Sequence, residues 1–479
     1  MGRDVGIERL GNGMDSRYGT SVALFCLLGA LLWPILIFGY PLLFWDSVDY
    51  LAVGSELSFG TMRPPVYAYA IRLLHGNTSL WPIILGQAVL AAWLIWRTMD
   101  AMQISRRGRM GAWAVIAVTS LPFFIIWVMA DVLGGLLVLG AFVAVVRPPP
   151  GLLERVLLAV FLLGAGAAHV TYLPLLFGIG LVLFAATLLW RDLGLSRAAA
   201  LGIIAAPILA TSVLLAANFT LYGVLRVTYS SPVLALSRQI EDGLTQRTLD
   251  AECPTRSWRL CSERAALEGA SSLWFGFTDE SPLNTRLGGM VGYAAEAQEI
   301  VAATTRRYWR ESLSAGVWRA GALLFSYDSA SFGRSAQNQI LILQFLRDAG
   351  YAHLDGSANS SRLIQSPGLI AVTKLGDLTS LAWVPLLVVG GVIALRRRAP
   401  LAAVFLGLCF AAIIGNALII GVGGDVEGRY HGRMAWLAVF ACFLAAASGM
   451  VRSTSAVPVS APRIWPERHR AAAWHRHPG

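Results

Sequence analysis

The chain of 479 residues is short of charge: Asp, Glu, Lys and Arg together make up 14% of it, against about a quarter in soluble domains. That shortage argues against a water-soluble globule. Lysine is all but missing, Lys374 being the sole example. Cysteine numbers only five, too few for a disulfide scaffold in a chain of this length. Several catalytic patterns are absent too: G-x-S-x-G, H-E-x-x-H, the Walker phosphate loop and a C-x-x-C pair. Their absence removes the motif-based case for a serine hydrolase, a zinc protease, a P-loop NTPase or a thioredoxin-like enzyme. No transporter-type internal repeat is visible either.

What is present is apolar sequence, 56% of the chain, in recurring runs of about 20 residues, the length that spans a bilayer as helix. The chain reads as an all-α polytopic membrane protein with lipid bilayer as its solvent. The net charge of +10 sits in short arginine-rich loops, Arg97–Arg109, Arg147–Arg155, Arg191–Arg197 and Arg396–Arg398, and in the tail from Arg452. Alternation of this kind is the positive-inside pattern. It assigns these loops to the cytoplasm and makes the charge a report of topology, with no nucleic-acid partner expected.

About ten spans are predicted on length, falling in four regions. Residues 1–219 hold about seven spans, the first from Ser21 to Tyr40, then Trp81–Trp96, Ala112–Ala130, Val132–Val146, Leu157–Tyr172, Leu175–Trp190 and Ala199–Asn218. The first has a basic flank but no small-residue cleavage site, so it reads as an uncleaved helix. Between spans one and two, Asp46–Leu80 has room for interfacial helices. Residues 220–377 are polar and form a large extracytoplasmic insertion of domain size. Within it Ala294–Leu324 has helical periodicity suited to packing on the membrane surface. Residues 378–451 hold three more spans, Leu378–Leu395, Leu401–Ile420 and Met434–Met450, and 452–479 form a basic, disordered tail. Cys26, Cys409 and Cys442 lie in apolar runs, whereas Cys253 and Cys261 can pair if the insertion faces an oxidising compartment.

On this topology the polar residues of interest share one face: Asp46, Asp49, Arg63, Asp131 and the loop Glu427–Arg433. Each acid has a plain structural reading. Asp46 with Asp49 fits a capping box, and Asp131 fits a cap of the fourth span. Ionisable groups at membrane depth are nevertheless costly and tend to be functional. Two carboxylates from separate hairpins suit a site that takes a proton from a hydroxyl, provided they lie within about 12–15 Å of each other. His169, alone among apolar residues, reads as structural. The sequons beginning at Asn77, Asn218 and Asn359 carry no weight.

The order of motifs is specific. A first span, D-x-x-x-Y at Asp46 and Tyr50, R-P-P-x-Y from Arg63 to Tyr67, Asp131 at the head of the fourth span, and E-x-R-Y at Glu427, Arg429 and Tyr430 resemble the GT-C class of membrane glycosyltransferases. That superfamily includes the protein mannosyltransferases and aminoarabinose transferases. The resemblance covers the first four spans and the last loop, and departs where many members have Asp-Glu, since Ser47 follows Asp46.

The resemblance implies a GT-C-like bundle and a polyprenyl-phosphate-linked sugar donor, with a glycan, lipid or protein as acceptor. It implies an active site on the extracytoplasmic face; the bias of arginine over lysine and the lack of organelle signals point to a bacterial inner membrane, which makes that face periplasmic or exterior. Asp46 becomes the general base and Asp131 an orienting catalytic carboxylate or a ligand of a divalent ion such as Mg or Mn. The substrate-binding set becomes Asp49, Tyr50, Arg63, Tyr67, Lys374, Glu427, Arg429, Tyr430, His431 and Arg433. Guanidinium groups suit a lipid phosphate because their donors match its oxygens in pairs. A lipid or glycan flippase, and a non-catalytic envelope-assembly protein, remain as alternatives. The first calls for charges in mid-span, the second for Asp46 and Asp131 acting as caps alone.

Overall fold

A computed structural model describes residues 23–326 and 377–448, with a few isolated positions between them. The N-terminal part runs α1 (Ala23–Leu32), α2 (Ile35–Phe38), α3 (Trp45–Glu56), α4 (Val66–His75), α5 (Trp81–Ala101), α6 (Arg106–Ala117) and α7 (Leu121–Ile125). It continues through α8 (Val132–Val146), α9 (Leu152–Ala167), α10 (Tyr172–Leu189) and α11 (Arg197–Tyr222). The insertion contributes α12 (Ser231–Glu241), α13 (Leu244–Glu252), α14 (Ser272–Phe277), α15 (Gly289–Gly292) and α16 (Ala294–Leu324). The last described helices are α17 (Trp383–Arg396), α18 (Pro400–Gly423) and α19 (Gly428–Ala447).

Five of these, α5, α10, α11, α18 and α19, are long and apolar enough to cross a membrane, and α1, α8 and α17 are shorter apolar helices. The protein is an α-helical membrane protein. At its centre stands α8, buried almost all round and packed by α5, α9, α10, α11, α18 and α19. Lipid supplies no hydrophobic drive between helices, so close fit holds such a bundle together, and small residues permit it. At Gly135 of α8 any Cβ would stand 2.6 Å from the Trp436 indole of α19.

Arg97 pairs with Glu154, Arg109 with Asp100 at 2.5 Å, and Arg147 donates to the Asp100 carbonyl. Arg397 reaches the Ala446 carbonyl and the Ser196 N–H bonds Val145. The arginine-rich loops therefore gather at one end of the bundle, and the carboxylates of interest lie at the other.

Several elements differ from the sequence expectation. The first span is interrupted at Trp33–Pro34, because proline carries no N–H to continue the helix. The third, expected as one helix over Ala112–Ala130, is α6, then the short α7 with Pro122 in its first turn, then a non-helical stretch, 126–131. Backbone at membrane depth must find partners inside the protein, and this stretch does. Leu42 pairs in parallel with Trp127: the Leu42 N–H donates to Ile126 at 2.9 Å, and the Val128 N–H to Leu42 at 3.0 Å. Gln87 Nε2 donates to the Ile125 and Trp127 carbonyls at 2.7 and 2.9 Å. The Tyr172 hydroxyl donates to Ala130 and Asp131. The segment Glu427–Arg433 is not a loop: Glu427 is the N-cap residue of α19, and the residues from Gly428 onward form its first turns.

The insertion has its own core, in which Val233, Leu236, Ile240, Leu249, Phe275, Leu283 and Tyr293 meet Ala297 and Ile300 of α16. Cys253 and Cys261 form a disulfide with Cα atoms 5.8 Å apart. The basic tail expected over 452–479 lies outside the described residues.

Candidate functional site

The site is assembled by the parallel pairing of Leu42 with Trp127. Asp46 lies four residues after Leu42 and Asp131 four residues after Trp127, so one backbone register brings both carboxylates to the same place. Neither acts as a cap. The N-cap of α3 is Phe44, whose N–H donates to Ser47 Oγ at 2.8 Å, and Ser47 Oγ in turn donates to the Val128 carbonyl at 2.8 Å. Ser47 is thus a fully buried fastener between the first loop and the broken third span. Asp131 occupies the N-cap position of α8 and makes no side-chain capping bond.

The carboxylates bind arginines. Arg63 spans both acids of its own loop, Nη2 to Asp46 Oδ1 at 2.6 Å and Nη1 to Asp49 Oδ2 at 2.8 Å. This corrects the reading of Asp49 as a cap partner. The fork is possible because α3 and α4 approach until a Cβ on Gly54 would lie 2.5 Å from the Ala68 carbonyl oxygen. Arg429 Nη1 lies 3.2 Å from Asp46 and 3.9 Å from Asp131, so the two carboxylates share a single guanidinium nitrogen. Arg433 Nη1 completes the set on Asp131 at 3.0 Å.

Aromatic and polar side chains hold these arginines in place. Arg429 stacks on Phe44 and Tyr430, donates to the Tyr430 hydroxyl at 2.9 Å, and has Glu427 3.5 Å from its Nε. Its Nε–H is a buried donor that makes no hydrogen bond. Arg433 lies between Tyr172 and Tyr430 and donates to Asn416 Oδ1 and Thr171 Oγ1. The Tyr50 ring sits under Arg63 and against Tyr67, whose hydroxyl donates to Gln87 at 2.8 Å.

Burial alone would raise the Asp46 pKa, but the positive fields of Arg63 and Arg429 outweigh it and hold the carboxyl below its ordinary value. Burial likewise disfavours the Arg63 cation, and Asp46, Tyr50 and Asp49 reverse that, raising its pKa. Asp46 is therefore an ionised, acceptor-only carboxylate at neutral pH.

Two expected residues are elsewhere. His431 is buried but turns away, Nε2 facing the Ser380 carbonyl at 3.4 Å and its ring near Trp383. Lys374 is exposed and is not among the side chains that meet here. Residues that sequence reasoning left out do belong: Phe44, Thr171 and Tyr172 named above, and also His169, Asn416 and Gln87. His169 Nδ1 accepts from the Thr171 N–H and lies 2.8 Å from Thr171 Oγ1, the atom to which Arg433 donates. Burial, and then Arg433, lower the His169 pKa to about 3, so it is neutral. Asn416 and Gln87 are polar residues inside apolar helices, and that placement was the available signal.

Among the described residues no group of three or more His, Cys, Asp or Glu comes together as a metal cage. Where a cation bridging Asp46 and Asp131 would stand, the chain supplies Arg429. The residues as arranged do not fit a divalent ion.

Fold and site together define an α-helical membrane protein with a partly buried carboxylate–arginine cluster at one end of its bundle. No family model, curated protein or solved structure matches the chain.

Proposed function

We propose that this is a GT-C-type membrane glycosyltransferase that moves a sugar, with inversion, from a polyprenyl-phosphate donor to an acceptor hydroxyl. The observation that carries the reading is the bridging of Asp46 and Asp131 by Arg429, with Arg63 and Arg433 on their outer sides. It puts a base next to guanidinium donors suited to a phosphate leaving group. On this reading the interrupted first and third segments and α9 cross the bilayer along with the other apolar helices. The arginine-rich end is taken as cytoplasmic, so the cluster faces the exterior, and the disulfide of the insertion is in keeping with that side.

In the reaction, the acceptor oxygen attacks the anomeric carbon and the bond from that carbon to the phosphate oxygen breaks. The lipid phosphate leaves with the bonding pair, and the acceptor proton passes to Asp46. Arg63 and Arg429 hold Asp46 in a weakly basic state before the donor arrives. When phosphate competes for the Arg429 guanidinium, Asp46 loses a stabilising charge and becomes more basic. Asp131 stays tied to Arg433 and orients Arg429.

The envelope-assembly alternative treats both acids as caps, and neither makes a capping bond. The test is release of polyprenyl phosphate from a panel of lipid-linked sugars by the full chain in vesicles. Full activity in both Asp46→Asn and Asp131→Asn would sink the proposal.

A further inference from the structure

Helix α16 is two helices joined at Tyr308, whose backbone leaves the helical region (φ −125°, ψ 32°). Before the kink, Ala294, Ala297 and Ile300 belong to the core of the insertion. After it, the helix runs beside the membrane-crossing helix α18. A Cβ on Gly316 would lie 3.0 Å from Val422, and one on Gly421 would lie 2.3 Å from the Gly316 carbonyl oxygen. Arg319 Nε donates to the Gly421 carbonyl at 2.7 Å, and Ala320 and Leu323 pack on Ala417 and Ile420. The end of α16 thus reaches down beside the last two turns of α18.

The face of this half next to that contact is apolar and exposed. Trp309, Leu313 and Val317 recur at four-residue spacing, so they form one stripe, with Trp318 beside it, and each is more than half exposed. On α18, Val422, Leu418 and Phe410 are exposed apolar residues as well, and Val422 is the one that Gly316, next to Val317, packs against. Water is a poor partner for such a stripe. At its upper end Arg310 lies over the Trp309 ring, the pairing of aromatic body and cationic tip found where helices meet headgroups. At about 1.5 Å per residue α18 measures about 36 Å, against about 30 Å of hydrocarbon. Its final turns, and the α16 residues level with them, therefore fall at the edge of the hydrocarbon.

From these placements we propose that residues 309–324 form an interfacial helix inserted into one leaflet of the bilayer. Trp309 and Leu313 lie at headgroup level, and Val317 and Trp318 in hydrocarbon. The occupant of the stripe is lipid. The inference is independent of the reaction proposed above, and its consequence is mechanical. The same half-helix ties Arg319 to Asp242 and to Gly421, while Arg238 of the insertion pairs with Asp425. Anchoring α16 in lipid therefore steadies the turn from which α19 carries Arg429 into the site.

The test is spin labelling of the full chain, with Cys26, Cys409 and Cys442 replaced by alanine and the disulfide kept. Labels at Leu313→Cys, Val317→Cys and Trp318→Cys are read in phosphatidylcholine–phosphatidylglycerol vesicles by collision with oxygen and with a water-soluble nickel chelate. Oxygen collisions should dominate at 317 and 318, less so at 313, and the nickel chelate should dominate at an Arg306→Cys control. Nickel dominance at 317 and 318 would overturn the proposal by placing the face in water. Low collision rates with both reagents would overturn it in favour of a protein cover such as a second copy. Labels at three positions keep the reading independent of any one variant that folds poorly.

Discussion

At the residue scale, Asp46 is exposed to the clearest tests. A general base contributes about 10²–10⁴ of a rate, so under the proposed reaction Asp46→Asn should lower kcat by that factor while leaving donor binding comparatively intact. Its stability signature has a definite sign. The folded pKa lies below the ordinary carboxylate value, so the stabilisation is present above about pH 4 and disappears as pH falls through the folded value. The melting-temperature difference between wild type and Asp46→Asn should be widest near pH 7 and close on acidification. A constant difference would mean that the ion pairs contribute nothing to it. His169 gives the complementary case. Its folded pKa of about 3 means that the unfolded chain takes up a proton below about pH 6.5 while the native state does not. Wild type should then lose stability with a slope of at most about 1.4 kcal/mol per pH unit, and His169→Gln should lose less over the same range. Asp46 was legible because its neighbours form a pattern in sequence. Asn416 was not, since its partner Arg433 becomes a neighbour only through packing of α18 on α19; His169 bonds Thr171 two residues on, and only Arg433, reaching Thr171 from α19, ties that pair to the cluster.

At the scale of elements, the sequence located helices better than it located their interruptions. The reading of the fourth span, Val132–Val146, coincides with α8, because a continuous apolar run bounded by Asp131 and Arg147 admits one interpretation. The stretch 126–130 is equally apolar, and nothing local marks it as unwound. It is unwound because Leu42, Gln87 and Tyr172 offer its backbone groups partners from three other elements. The second junction on which the site depends is that of α3 with α4 at Gly54. Gly54→Val would drive side-chain carbon into the Ala68 carbonyl, and overpacking of this kind costs about 1–3 kcal/mol. The expected outcome is a lower melting temperature together with a loss of activity near that of Arg63→Ala, because separating the helices withdraws Arg63 from Asp46 and Asp49. Normal activity in a destabilised Gly54→Val protein would dissociate that packing from the site.

At the scale of the whole molecule, charge is segregated. One end of the bundle carries the arginine loops and their pairing with Asp100 and Glu154, and the other carries the carboxylate cluster beneath the insertion. The charge count made this end-to-end order legible. The clamp of Arg238 and Arg319 on Asp242 and Asp425 was not, because its members are far apart in sequence. The orientation of the whole has a direct readout in the disulfide. If the arginine end is cytoplasmic, the Cys253–Cys261 bond lies outside, where it stays oxidised. With Cys26, Cys409 and Cys442 replaced by alanine, intact cells should take up no membrane-impermeant maleimide until a reductant that does not enter the cell is added. They should then label at both remaining cysteines. Inverted vesicles treated from outside with the same two reagents should stay unlabelled. Labelling of inverted vesicles but not of intact cells would turn the molecule over. The carboxylates would then face a compartment supplied with nucleotide sugars, and a lipid-linked donor would lose its rationale.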